Sequence, residues 1–178
     1  SRNRFCGDFR CLDMGPLDLG TAIVGMTIDG ITFQNGLAYG GGAMHLNRGR
    51  TNSSAYDGWP LIQNCVFRDN HSTGNGGAIY IAWTSPYIRD CEFYGNTSDS
   101  NGGAVANYMC TSGNVTDDWI TSERNVFHNN YAEYNGGAWY LEWNGSAGCK
   151  LFSVNNIYAG NSTGQNGRGG ALWVTSER

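Results

Sequence analysis

Charge is scarce in this sequence. Asp, Glu, Lys and Arg make up 15% of its 178 residues, and 11 basic against 15 acidic side chains leave a formal net charge of −4. The basic residues are scattered and the pI is near 5.2, so no face suits phosphate and nucleic acid is not an expected partner. No run of ~18 apolar residues occurs, so no membrane-spanning helix is expected. Histidine is limited to His45, His71 and His128, none with Cys, Asp or Glu at metal-ligand spacing, so neither a metal nor another cofactor is expected. The opening Ser1-Arg2-Asn3-Arg4-Phe5 lacks a signal-peptide pattern, as in a mature or trimmed chain.

Glycine, at 27 residues, and aromatic side chains, at 13%, are abundant instead, and they recur in order. Phe67 to Asn70 is followed by Asn75-Gly76-Gly77-Ala78-Ile79-Tyr80-Ile81, and Phe93 to Asn96 by Asn101-Gly102-Gly103-Ala104-Val105-Ala106-Asn107. Phe127-His128-Asn129-Asn130 is followed by Asn135-Gly136-Gly137-Ala138-Trp139-Tyr140-Leu141. Looser copies are Phe33 to Gly36 with Gly41-Gly42-Ala43, and Tyr158 to Asn161 with Gly169-Gly170-Ala171. Phe67 to Ala78, Phe93 to Ala104 and Phe127 to Ala138 are equal intervals, whereas the distance from each alanine to the next aromatic varies. Such recurrence marks a repeat architecture with one fixed turn and variable loops on one side, each unit burying its apolar face against its neighbours.

After each alanine the apolar pattern has period two: Met44/Leu46, Ile79/Ile81, Val105/Asn107, Trp139/Leu141 and Leu172/Val174 share a face. Alternation of this kind belongs to strands, and a repeat too short for a helix pair points to an all-β parallel β-helix solenoid of about six coils. An antiparallel sandwich has no reason to repeat one turn sequence at one interval. Residues 1–25 lack the Gly-Gly-Ala signal and read as an irregular first coil or N-terminal cap, with residues 26–178 as the repeats. Stacking coils would place Asn70, Asn96, Asn130 and Asn161 one above another in an amide ladder along the axis.

Phe-x-x-Asn plus Gly-Gly-Ala-[Ile/Leu/Val], over about residues 26–174, resembles the repeat of the polymorphic outer-membrane protein family and, more widely, the pectin-lyase-like right-handed β-helices. The resemblance implies a right-handed solenoid exposed at a surface that adheres or assembles without catalysis. Gly36 departs from the pattern, standing where the other copies have the ladder Asn.

Six cysteines and six Asn-x-Ser/Thr sequons favour a secreted, oxidised product at the cell surface or outside it. Asn52, Asn114 and Asn144 fall in variable loops and are the expected sites of covalent N-linked glycans. Asn70, Asn96 and Asn161 fall on the ladder, where burial would bar modification. Cys6 and Cys11 are close enough to close a small disulfide loop, and Cys110 and Cys149, in loops of adjacent coils, form the natural long-range bond. Cys65 and Cys91 share an inward column at a strand spacing of ~4.8 Å, so either a strained bond or a stacked pair of thiols fits.

Glycoside hydrolysis needs two facing carboxyl groups. Asp117-Asp118, Asp90 with Glu92, and Asp69 are the candidates, and none forms a convincing pair, so no catalytic residue is assigned. The expected function is a non-catalytic structural repeat protein, a glycosylated building block of an extracellular filament or surface layer whose partner is itself, stacked head to tail. Thr175-Ser176-Glu177-Arg178 supports stacking by repeating Thr121-Ser122-Glu123-Arg124, with Arg2-Asn3-Arg4-Phe5 resembling the continuation. The alternative is a carbohydrate-binding adhesin module using an exposed aromatic stripe of Tyr80, Trp83, Tyr140, Trp143 and Trp173, unless loops fold over these rings. A polysaccharide-degrading β-helix enzyme ranks third.

Overall fold

The computed structural model describes residues 4–5, 12–14, 26–47, 60–108, 119–143 and 150–176. Among them, 22 strands form four parallel sheets that run the length of a solenoid, and the chain is a parallel β-helix. No helix occurs among the described residues, hence none long and apolar enough to cross a membrane.

The third coil shows the plan. Tyr87–Arg89 lies in a lead-in sheet, Glu92–Tyr94 in a phenylalanine sheet, Thr97–Ser98 in a short sheet and Val105–Tyr108 in a long sheet. Five coils have all four strands. Ahead of them Arg4–Phe5 joins the phenylalanine sheet opposite Thr32 and Phe33, and Leu12–Met14 joins the long sheet opposite Met44–Leu46. Part of the 1–25 stretch is therefore a coil in register with the rest. The intervals that vary in length in the sequence all fall between the long sheet and the next lead-in strand.

A two- or three-residue strand offers only one or two side chains to the interior, so the core is built from columns running along the axis. Phe33, Phe67, Phe93, Phe127 and Tyr158 stack with centroids 4.9, 4.7, 4.7 and 5.0 Å apart and planes within 9°. Each such ring contact adds about 0.5–1.5 kcal/mol beyond the burial of the side chains. Ile28, Ile62, Ile88 and Ile120 line the lead-in side, while Met44, Ile79, Val105 and Trp139 line the long sheet, all buried.

Each coil turns through residues in the left-handed region. One column is Asn35, Asp69, Gly95, Asn129 and Gly160; a second is Gly30, Asn64, Asp90, Arg124 and Asn155. Gly, Asn and Asp enter that region most readily. Arg124 is the exception, and its guanidinium makes two 2.8 Å bonds to Asp90 on the adjacent coil. The turn into the long sheet admits only glycine: a Cβ on Gly136 would lie 2.3 Å from the Trp139 carbonyl oxygen, and one on Gly137 2.1 Å from that of Gly170. The first glycine of the pair thus serves the tight left-handed turn within its coil and the second the contact with the next coil.

Candidate binding cleft

The structure brings Asn70, Asn96, Asn130 and Asn161 into one column. The Nδ2 groups of Asn70, Asn96 and Asn130 each donate to the Oδ1 of the next at 2.9 Å. The Nδ2 groups of all four also donate to a phenylalanine carbonyl one coil back: Phe33, Phe67, Phe93 and Phe127. Each Oδ1 also accepts a backbone N–H, starting with that of Gly36. Two donors and two acceptors at one buried point are what a carboxamide supplies, and Asn has the short stem that fits. Asn70, Asn96 and Asn130 are fully buried with their amides consumed, and Asn161 is half-buried.

A second ladder escaped the sequence reading. Asn101 donates its backbone N–H and Nδ2 to Asn75 Oδ1, Asn135 does the same to Asn101, and the Arg168 N–H closes on Asn135 Oδ1. Its donors point back along the chain, opposite to the first ladder. The signal was in plain view, since Asn precedes Gly-Gly-Ala in all three full copies.

A third column mixes amides with thiols. Asn125 N–H donates to Asn156 Oδ1 and Cys91 N–H to Asn125 Oδ1, both at 2.8 Å, while Cys65 N–H reaches the Cys91 sulfur at 3.4 Å. Cys65 and Cys91 are free, buried thiols standing where the next coils carry Asn. The hydrogen bond shared with Cys65 and burial both push the Cys91 thiol up, which keeps it protonated and unreactive.

On the outer side, where the short sheet turns into the long one, Tyr39, Gly40, His45, Asn75, Tyr80 and Tyr108 line a cleft of about 340 Å³. His45 and Tyr80 are register neighbours on adjacent coils, their rings 5.1 Å apart and tilted by 44°. Tyr39 projects at 82% exposure. Burial, together with the nearby Tyr108, Glu142 and Tyr39, pushes the Tyr80 phenol up to about 12, so it is a neutral O–H at physiological pH. The cleft lining carries no Lys, Arg, Asp or Glu.

The aromatic stripe is not the open platform expected. Tyr140 is only 8% exposed and donates to Glu142 Oε2, while Tyr80, Trp83 and Trp173 are half-buried. The outward column runs His45, Tyr80, Ala106, Tyr140, Trp173, so Ala106 also interrupts it. The side chain of Trp143, the sequons at Asn52, Asn114 and Asn144, and Cys6, Cys11, Cys110 and Cys149 lie outside the described residues, as does Asp117-Asp118. Asp90 is held well below the ordinary carboxylate range by the hydrogen bonds from Arg124. Glu92 sits 3.2 Å from His128, so both carboxylates of that candidate pair have basic partners. Among the described residues no group of three His, Cys, Asp or Glu is placed to hold a metal.

Exposure rises along the last described coil. Leu172 and Val174 are 38% and 56% exposed, whereas Trp139 and Leu141, directly beneath them, are 0% and 1%. The repeated tetrapeptide does not mark one place in the coil. Thr121-Ser122-Glu123 lies in the lead-in sheet, while Thr175-Ser176 ends the long-sheet strand Leu172–Ser176, so the shared letters occupy different faces.

These columns and glycine turns define a non-globular repeat protein of the parallel β-helix class. Residues 64–82 and 90–108, the turns and strands of the second and third coils from before the phenylalanine sheet through the long sheet, match the Chlamydia polymorphic membrane protein (Chlamydia_PMP) repeat. Two coils of the chain are thus similar to that repeat, a likeness that points to a surface or outer-membrane setting. No curated protein and no solved structure matches the chain.

Proposed function

We propose that this chain is a non-catalytic structural module of an extracellular surface or filament, N-glycosylated on its variable loops and stacked head to tail through its coil ends. The observation that supports the reading is the coil-to-coil register, in which strands of one coil pair in parallel with the equivalent strands of the next. Coils of this kind associate through strand N–H and C=O groups and stacked apolar columns, contacts that a coil of a second copy can make equally well. Contact between two different ends is heterologous and builds an open filament.

Electron microscopy of native material tests this. Six coils at ~4.8 Å give an axial repeat of roughly 29 Å along a filament. Replacing Val174 with Lys, at an exposed position, is expected to leave the fold intact and abolish the filament. Discrete monomers in native micrographs, or an intact mass requiring uninterrupted further repeats, would overturn head-to-tail stacking.

A further inference from the structure

We propose that the cleft bounded by Tyr39, Gly40, His45, Asn75, Tyr80 and Tyr108 binds a neutral pyranose unit of a glycan. The proposal is independent of the stacking reading, because the cleft lies on the side of the solenoid and not at its end. It starts from a gap in the second ladder. Gly40 occupies the column position of Asn75, Asn101 and Asn135, its neighbour Gly41 donating to the Asn75 carbonyl as Gly76 does to that of Asn101. With no side chain there, the ladder stops at Asn75. Asn75 Oδ1 is taken by the N–H and Nδ2 of Asn101, so the amide offers its Nδ2 hydrogens toward the cleft, where the acceptor of the ladder pattern is missing.

The rest of the lining fits the same ligand. The exposed Tyr39 ring suits the apolar C–H face of a sugar ring. The Asn75 Nδ2, the His45 imidazole and the phenols of Tyr39, Tyr80 and Tyr108 supply the hydrogen bonds that ring hydroxyls need. A cleft of about 340 Å³ is at the small end for a ligand site and matches one ring better than an extended chain. The absence of Lys and Arg from the lining, with Glu142 raising the Tyr80 phenol, disfavours acidic sugars.

Saturation-transfer NMR on the folded chain tests the site, with methyl pyranosides of glucose, galactose, mannose and N-acetylglucosamine as probes and sodium glucuronate as the acidic comparison. Transfer to at least one neutral pyranoside at millimolar concentration, and none to glucuronate, is expected. Tyr39→Ala, at an exposed position, should weaken binding about three- to tenfold. Gly40→Asn extends the ladder into the cleft; a Cβ there meets only the Tyr80 ring at 3.5 Å, an ordinary contact. That variant should keep or raise the melting temperature and lose binding. No transfer to any neutral probe, equal transfer to glucuronate, or binding that survives both substitutions overturns the assignment.

Discussion

Replacing Asn130 with alanine removes four hydrogen bonds from the fully buried centre of the first ladder. The Asn96 N–H and Asn96 Nδ2 lose their Asn130 Oδ1 acceptor, and the Phe93 carbonyl and Asn161 Oδ1 lose a donor. The Asn96 N–H is left with no protein acceptor, a cost of about 1–3 kcal/mol. Asn96 Nδ2 keeps its bond to Phe67, and Asn161 Oδ1 keeps the Asn130 N–H, so the remaining losses are partial, about 0.5–1.5 kcal/mol each at most. The sum is about 2.5–7.5 kcal/mol, a fall in melting temperature of at least roughly 5 °C for a domain of this size. Asn161→Ala is the internal control: it deletes equivalent atoms at a half-buried position where water can substitute, and should cost about 1 kcal/mol or less. Urea and thermal unfolding of both variants, followed by circular dichroism with slopes compared to the parent, give the numbers. Equal melting temperatures for the parent and Asn130→Ala, or a larger loss for Asn161→Ala, would refute the reasoning that the ladder stabilises by saturating buried groups.

Three further outcomes follow from the same geometry. Gly137→Ala places a Cβ 2.1 Å from the Gly170 oxygen and should prevent folding into soluble protein, whereas Gly30→Ala meets nothing within 4 Å and should cost only about 1 kcal/mol for its left-handed backbone. A soluble-yield and melting comparison of the pair checks this. Cys91→Asn puts into the third column the amide that Asn125 already carries one coil later, replacing a 3.4 Å sulfur contact, and should raise stability by about 0.5–1.5 kcal/mol; a lower urea midpoint would count against it. Glycopeptide mass spectrometry should find glycans on Asn52, Asn114 and Asn144 and none on Asn70 or Asn96, whose amides are consumed inside the solenoid.

The coil was legible because a solenoid column demands the same chemistry at the same place in every turn. Phenylalanine over phenylalanine and Asn over Asn therefore print as a repeat, while the left-handed turns and coil contacts print as glycine. The lead-in and short sheets were invisible for the same reason in reverse. Tyr87–Arg89 and Thr97–Ser98 turn only Ile88 and Ser98 into the core, too few side chains to show a period. The aromatic stripe failed because alternation assigns a face and says nothing of what covers it: Tyr80 packs against Gly40 and His45, and Tyr140 leans to Glu142. The cleft depends on Gly40, which signals by lacking a side chain where its column has Asn. Thr175-Ser176 misled because a tetrapeptide carries too little hydrophobic pattern to name its sheet.

The central claim is that successive coils lie in one register, and the aromatic column reports it most directly. In a ¹³C-resolved NOE spectrum with specifically labelled phenylalanine, ring protons of Phe67 should contact those of Phe93, and Phe93 those of Phe127, since each pair of centroids is 4.7 Å apart with planes nearly parallel. Phe67 should show no contact to Phe127, two coils away. Absence of the adjacent contacts, or a direct Phe67–Phe127 contact, would contradict the stacked-coil account.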